Sequence, residues 1–288
     1  MHRKTMIRIG AYALLFIAGF VAISIWSTWS ATHQKTIESG LTPEDFKFAF
    51  ENLTLVTEDN IPIAGWFIPA PDPAEKKPAL VILHGYPAEK GDMLFIASGL
   101  HQSFNILLID LRSFGKSGGS FTTLGNKERF DLSAGLDFLE SRGFLKAGVL
   151  GFSLGGATAI LGAARDKRIA AIVSYASFAD LTLLGRELYR TLPVLRYPLV
   201  ELMKLWGKLF WNIDSISSPA ATAQHLAIPV MLVHTKQDEQ ISFRHAEILR
   251  DALQNNKRAE FFFPETGRHG ELPSDFEERV KTFFLQYL

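Results

Sequence analysis

The sequence predicts an α/β domain with a mostly parallel central sheet, preceded by one membrane-spanning helix. Three observations support this prediction. A long uncharged apolar segment lies near the N-terminus, short apolar runs alternate with helical stretches after residue 50, and a serine occupies a glycine-rich turn between a strand and a helix. Alternation of strands and helices is typical of a parallel sheet with helices packed on its faces.

Composition excludes several classes of protein. The chain has 288 residues, 47% of them hydrophobic, which is enough to bury a sizeable core. Its 30 Lys and Arg residues balance its 30 Asp and Glu residues, and this argues against a nucleic-acid-binding protein, which needs a concentrated basic face. The chain contains no Cys, so disulfides, thiolate zinc sites and a cysteine nucleophile are excluded.

The N-terminal segment 9–32 contains no charged residue. A helix of about 20 apolar residues spans the ~30 Å hydrocarbon core of a bilayer. Arg3, Lys4 and Arg8 precede the segment, whereas the first cation after it is Lys35. Because positive charge is retained on the cytoplasmic side, we expect a cytoplasmic N-terminus and the rest of the chain on the extracytoplasmic side.

A cleaved signal peptide is the alternative interpretation of this segment, and it implies a secreted protein. Signal peptides have a shorter apolar region of about 7–15 residues and end at a small-x-small site, for which 28–30 is a poor match. We therefore assign residues 1–32 to a cytoplasmic tip and membrane anchor, 33–50 to a tether, and 51–288 to the α/β domain.

The elements of the α/β domain follow from its apolar patterning. Two β-rich runs, 53–57 and 61–68, flank a turn and predict an antiparallel pair. Unbroken short apolar runs are typical of strands buried on both faces of a parallel sheet. They predict strands at 79–84, 105–110, 147–152, 169–175, 229–235 and 259–263, with helices at 92–103, 127–142, 154–165, 243–254 and 274–287.

An insertion, residues 180–226, interrupts the alternation and is called the lid here. It is rich in Leu, Tyr and Trp and contains no strand-like run, so we expect helices above the carboxyl ends of the strands. Its apolar side chains exceed what one helical layer can bury against a sheet edge. We expect the active-site entrance, an acyl chain or the bilayer to cover the surplus, and Trp206, Phe210 and Trp211 are the candidate substrate contacts.

The sharpest motif is Gly-Phe-Ser-Leu-Gly-Gly at 151–156, which follows an apolar run and opens a helical stretch. Gly-x-Ser-x-Gly between a strand and a helix exposes the serine hydroxyl on a tight, strained turn. A serine hydroxyl needs a histidine base, and the histidine needs an orienting carboxylate. After two later strands come Asp238 and His269, so the chain order is Ser153, acid, base.

These segments resemble the α/β-hydrolase superfamily over residues 51–288. Within it, the chain is most similar to membrane-anchored serine hydrolases of the lysophospholipase- and peptidase-like branch. A His-Gly loop follows the third strand, and an Asp-x-Arg turn has Ser113 where the family usually has Gly. The matching segments, in chain order, are 81–86, 110–117, 151–156, 232–242 and 267–270.

The resemblance implies a role for each site residue. Ser153 attacks a carbonyl carbon, and His269 accepts its proton and later delivers it to the leaving group. Asp238 orients His269 and stabilises its charged form. The backbone N–H groups of Tyr86 and Leu154 form the oxyanion hole.

Other polar residues receive structural interpretations. We expect His84 to shape the oxyanion loop and His234 to be a satisfied core residue, while Glu239 is the alternative acid. In the family pattern, Asp110 anchors its own turn through Arg112. We expect His101, His225 and His245 at the surface.

The predicted activity is hydrolysis of a carboxylic ester, thioester or amide with an apolar acyl group. An acyltransferase using the same three residues, or a binding protein that retains the fold, are the alternatives. The mechanism needs no cofactor, and no His pair has the spacing of a zinc hydrolase helix. The expected partners are a small-molecule or lipid-like acyl substrate and the membrane through residues 9–32, but not nucleic acid. The oligomeric state is left open.

Overall fold

The computed structural model describes residues 2–72, 76–213 and 218–288. Its strands are β1 (Glu51–Val56), β2 (Pro62–Ile68), β3 (Ala79–Leu83), β4 (Asn105–Ile109), β5 (Ala147–Phe152), β6 (Ile169–Tyr175), β7 (Val230–Val233) and β8 (Ala259–Phe262). Its helices are α1 (His2–Thr32), α2 (Leu94–Leu100), α3 (Glu128–Ser141), α4 (Leu154–Ala163), α5 (Leu181–Leu188), α6 (Arg196–Trp211), α7 (Pro219–Ala223), α8 (Phe243–Ala252) and α9 (Phe276–Tyr287). The predicted strands and helices are all present, with ends that differ by a few residues.

The eight strands form one sheet in the order β1-β2-β4-β3-β5-β6-β7-β8. β1, β2 and β4 pair in antiparallel fashion, and the pairs from β4 through β8 are parallel. The chain direction across the sheet reverses around β3 and β5, so the loops after these two strands diverge. Such a switch point at the carboxyl edge is where open α/β sheets bind ligands.

Alternate residues of each central strand enter two separate cores. Val81 and Leu83 of β3 pack under α3, α4, α7 and α8, whereas Leu80 and Ile82 pack under α2 and α9. This period of two follows from the pleat, which directs successive side chains to opposite faces. Both faces are therefore covered, which explains why the strand sequences are uniformly apolar.

Helix α1 is long and apolar enough to cross a membrane, and within the described residues it is the one helix that meets this criterion. Most of its apolar side chains are exposed, as for Leu14 and Leu15. Its last two turns differ, because Ser24, Thr28 and Thr32 are buried against the rest of the protein. Helix α6 of the lid packs across this end of α1.

The segment expected to be a tether, residues 33–50, makes specific hydrogen bonds with the loops of the α/β domain. The Ile37 N–H donates to the Pro87 carbonyl at 2.7 Å, and the Gly115 N–H donates to Thr36 Oγ1 at 2.9 Å. A 3₁₀ turn at Pro43–Phe46 then leads into β1. The chain between α1 and the sheet therefore lies on the domain.

The interpretation of Asp110 requires a correction. Its carboxylate is fully buried and pairs with Lys90 Nζ at 2.5 Å, and it also accepts the backbone N–H of Lys116. Arg112 does not anchor this carboxylate, because its guanidinium is held by Asp131 and Asp59. The partner of Asp110 comes from a 3₁₀ turn 20 residues earlier, which local sequence pattern does not predict.

Two histidines expected at the surface are buried. His101 donates its Nε2–H to the Pro69 carbonyl at 2.8 Å, and His245 accepts the Ala179 N–H at Nδ1. Burial lowers the pKa of His245, so its ring stays neutral. His225 is exposed as expected, and His234 is buried with Nε2 bonded to the Ile241 carbonyl.

Candidate active site

The turn between β5 and α4 holds Ser153 in a strained conformation, with φ 52° and ψ −111°. This region costs free energy for a residue with a side chain and persists only where the surroundings enforce it. The Ser153 N–H donates to the Tyr175 carbonyl at 2.8 Å, which fixes the turn to β6. A Cβ at Gly151 or Gly155 would overlap neighbouring backbone, so close strand–helix packing requires glycine there.

Asp238 lies in the loop after β7 with its carboxylate fully engaged. Oδ1 accepts the backbone N–H groups of Gln240 and Ile241 at 2.9 and 2.8 Å, and Oδ2 accepts Nδ1–H of His269 at 2.7 Å. Burial raises the pKa of this carboxyl, but the hydrogen bonds from His269 and Ile241 outweigh it and hold the pKa below its usual value. The carboxylate is therefore ionised at neutral pH.

His269 lies in the loop after β8, flanked by Gly267 and Gly270, both with positive φ. Thr235 Oγ1 donates to the Gly267 carbonyl at 2.7 Å and ties this loop to the end of β7. The imidazole packs against the Phe152 ring, with centroids 4.9 Å apart. Nδ1 is bonded to Asp238, and Nε2 is the ring nitrogen that has no hydrogen bond to another of the described residues.

The loop after β3, residues 84–87, is called the oxyanion loop here. His84 is fully buried, donates its Nδ1–H to the Gly85 carbonyl and accepts the Leu111 N–H at Nε2. Burial lowers the pKa of His84, which keeps the neutral tautomer that this pair of bonds needs. A Cβ at Gly85 would lie 2.8 Å from the Phe152 ring, so this loop lies directly against the turn that carries Ser153.

A cavity of about 380 Å³ opens onto Ser153 and His269. Tyr86 and Leu154 also line it, and Asp238 is bonded to His269, so the structure brings together the five residues that the sequence analysis assigned to catalysis and to the oxyanion hole. The other walls are mostly apolar; most of their residues belong to the lid and to α1, and a few belong to the loops after β6 and β7. They include Thr28, Ala31, Thr32, Phe178, Leu181, Leu184, Leu188, Val200, Met203, Gly207 and Ile213.

The structure places the lid aromatics, which the sequence analysis named as candidate substrate contacts, outside the lining of this cavity. Trp206, Phe210 and Trp211 are not among the described residues that line the cavity. Trp206 donates its Nε1–H to Ser24 Oγ at 2.8 Å, and its ring stacks on Phe210. Trp211 lies 5.8 Å from the ring of His33. The aromatic cluster therefore lies where α6 meets α1.

Sequence reasoning missed the contribution of α1 to the cavity. Membrane insertion already explains why this segment is apolar. The sequence therefore does not indicate that Thr28, Ala31 and Thr32 at its end line a cavity. Gly207 of α6 was also missed, although a glycine within an apolar helix is a known sign of close approach. Residues 214–217 of the lid lie outside the described residues.

The described residues contain no cluster of His, Asp and Glu side chains that could hold a metal ion. The site holds one hydroxyl, one imidazole and the carboxylate bonded to that imidazole. A nucleophile on a strained strand–helix turn, beside a carboxylate-oriented histidine at the switch point of this sheet, defines the α/β-hydrolase fold.

Comparison with known families identifies the branch of this fold. A model of the prolyl oligopeptidase family matches residues 95–288, and the chain belongs to that family. Among curated relatives, the uncharacterized protein YfhR of Escherichia coli O157:H7 is 26% identical over 252 residues, which is 83% of this chain and 81% of YfhR.

Two solved structures share the fold. The esterase Pf2001 of Pyrococcus furiosus superposes with a TM-score of 0.73 at 24% identity, over 88% of this chain and 99% of the esterase. A membrane phospholipase A described as a bacterial virulence factor superposes with a TM-score of 0.61 at 18% identity, over 98% of each chain. The family supports a serine hydrolase activity, and the two neighbours show the fold.

Proposed function

We propose that the protein is a membrane-anchored serine hydrolase that cleaves carboxylic esters through an acyl-enzyme on Ser153. The observation that supports this most directly is the 2.7 Å bond between Asp238 and His269, with His269 and Ser153 on the same cavity. His269 Nε2 removes the Ser153 proton as Oγ attacks the ester carbonyl carbon. The backbone N–H groups of Tyr86 and Leu154 stabilise the tetrahedral oxyanion.

Collapse of this intermediate releases the alcohol, which takes the proton from His269. Water then attacks the acyl-enzyme with His269 again as the base, and the carboxylic acid product leaves. Asp238 keeps Nε2 unprotonated in the resting state and stabilises the imidazolium that forms during each step. Its lowered pKa supports this role, because a carboxylate must be ionised to stabilise an adjacent cation.

The cavity supports an apolar acyl group as substrate. Apolar side chains, among them five leucines and two isoleucines, form much of its wall, and Lys204 is the one Lys, Arg, Asp or Glu side chain that lines it among the described residues. An acyl chain gains about 0.8 kcal/mol for each methylene that leaves water. The structural neighbours named as an esterase and a membrane phospholipase A agree with this proposal.

A chain-length series tests the acyl preference. With p-nitrophenyl esters from acetyl to dodecanoyl, we expect kcat/KM to rise by up to about fourfold per methylene until the cavity is filled. An acetyl ester that is the best substrate, with a steady fall beyond it, would contradict the apolar cavity as acyl site. A matched p-nitroanilide series separates ester from amide cleavage, and added alcohol acceptors detect acyl transfer.

The alternative is a binding protein that has the same fold but no catalytic activity. A fluorophosphonate probe labels a serine only when the serine is activated, so labelling of Ser153 separates the two proposals. An unlabelled wild-type protein would favour the binding protein.

We also propose that α1 is an uncleaved anchor, with the N-terminus in the cytoplasm and the catalytic domain outside. Its burial pattern supports this, because the exposed apolar face extends over the part that lipid would surround. The protein should remain with membranes after carbonate extraction, and protease added outside the cytoplasmic membrane should digest the catalytic domain. A mature chain that begins near Ala31 would instead identify a cleaved signal peptide.

A further inference from the structure

The last two carbonyls of α1 accept hydrogen bonds from the α/β domain. The final four C=O groups of any α-helix have no partner within the helix. Here the Ala31 carbonyl accepts the phenol O–H of Tyr86 at 3.0 Å, and the Thr32 carbonyl accepts the Thr122 N–H at 2.9 Å. The end of α1 is thereby held to two separate loops of the domain.

Tyr86 connects α1 with the oxyanion loop. Its backbone N–H is the proposed oxyanion donor, and its side chain extends from the same Cα to the helix end. Burial raises the pKa of the phenol to about 12, so it remains a donor across the physiological range. The next residue, Pro87, accepts the Ile37 N–H through its carbonyl, so the chain just after α1 holds the same loop a second time.

The same helix end closes one side of the cavity. Thr28, Ala31 and Thr32 line it opposite the α/β domain, together with Met203 and Gly207 of α6. Thr28 Oγ1 is fixed by the Ser24 carbonyl at 2.8 Å, and Trp206 bonds to Ser24 Oγ. This wall is therefore held by hydrogen bonds on both helices.

We propose that the end of the anchor helix is part of the active site: it positions the oxyanion loop through the phenol of Tyr86 and forms a wall of the acyl cavity. The proposal rests on the serine hydrolase function proposed above. Tyr86 acts here as a positioning residue through its side chain. Two consequences follow, one for turnover of a small soluble ester and one for acyl-chain selection.

The first test removes one hydroxyl. In full-length protein in detergent micelles, Tyr86→Phe should lower kcat for p-nitrophenyl acetate about three- to tenfold, as expected for one lost hydrogen bond that orients the loop. KM should be unchanged because the acetyl ester does not depend on the cavity wall. Tyr197→Phe, at an exposed lid tyrosine bonded to Arg196, is the matched control and should retain wild-type values.

The second test places a larger side chain in the cavity wall. Ala31→Phe should lower the octanoyl-to-acetyl ratio of kcat/KM by about tenfold or more, because added volume in a packed site excludes the longer chain. Ala18→Phe makes the same change on the same helix at an exposed position and should leave the ratio at the wild-type value.

Rates are referred to the concentration of active sites, titrated with a fluorophosphonate. Wild-type kcat in Tyr86→Phe, even with a lowered Tm, would mean a structural contact only and would overturn the positioning role. If the octanoyl-to-acetyl ratio of kcat/KM in Ala31→Phe equals that of the wild type, the proposal that α1 forms a wall of the acyl cavity is overturned. Failure of the hydrolase proposal itself has a different signature, namely ester hydrolysis that persists in Ser153→Ala.

Discussion

Ser153→Ala is expected to lower kcat/KM for ester hydrolysis by at least about 10⁵-fold, and His269→Ala by a similar factor. Without the hydroxyl no acyl-enzyme forms on residue 153, and without the imidazole the hydroxyl loses the base that accepts its proton. Asp238→Asn should cost about 10⁴-fold, because the amide favours the imidazole tautomer with the proton on the wrong nitrogen. Steady-state kinetics with a p-nitrophenyl ester measures all three effects.

These losses should occur without loss of folding. Ser153 is strained in the native structure, and replacing it leaves the backbone bond from residue 153 to the Tyr175 carbonyl intact. Ser98→Ala and His225→Ala, at positions outside the site, are controls and should retain activity. Near wild-type turnover in His269→Ala would refute the assignment of the base and make His84 the next residue to test.

Lys90→Met should destabilise the protein by about 3–5 kcal/mol. The ammonium group is 2% exposed, pairs with the fully buried Asp110 carboxylate, and lies 4.3 Å from the Trp66 ring centroid. Removing it leaves a buried carboxylate with backbone donors only. Thermal unfolding should show a fall in Tm of about 10 °C.

Two further variants identify the cause of this effect. Lys236→Met breaks an ion pair of two exposed side chains with Glu265, and its stability should change by less than about 1 kcal/mol. Lys90→Met combined with Asp110→Asn removes both charges and should recover part of the loss. An unchanged Tm in Lys90→Met would show that the buried pair contributes nothing net.

The strands, the glycine-rich turn at 151–156 and the chain order of the site residues were predictable because each depends on local pattern. An unbroken apolar run predicts a doubly covered strand, and Gly151 and Gly155 are needed by a turn that spans only a few residues. The parallel topology then brings the ends of β5, β7 and β8 to one edge. The placement of Ser153, Asp238 and His269 at this edge therefore follows from local patterns and from the rule that parallel strands end at the same edge of a sheet.

The errors concern contacts between distant segments. His101 is buried because Phe48, far earlier in the chain, covers its ring at 4.5 Å, and the partner of Asp110 comes from another loop. The lid helix α6 has apolar residues around much of its circumference, so its sequence does not determine which face meets α1. The hydrogen bond of Trp206 to Ser24 of α1 was therefore not predicted.

The hydrogen-bonded end of α1 has a consequence for how the enzyme finds its substrate. With the anchor in a bilayer, Thr28 to Thr32 covers only about 6 Å along the helix axis, so the reactive serine is kept at a set height above the lipid. Under the proposed function, ester bonds that reach that height would be cleaved by an enzyme that diffuses in the plane of the same membrane. Turnover then follows the mole fraction of the ester in the membrane, and adding inert lipid at constant bulk ester slows the reaction by surface dilution.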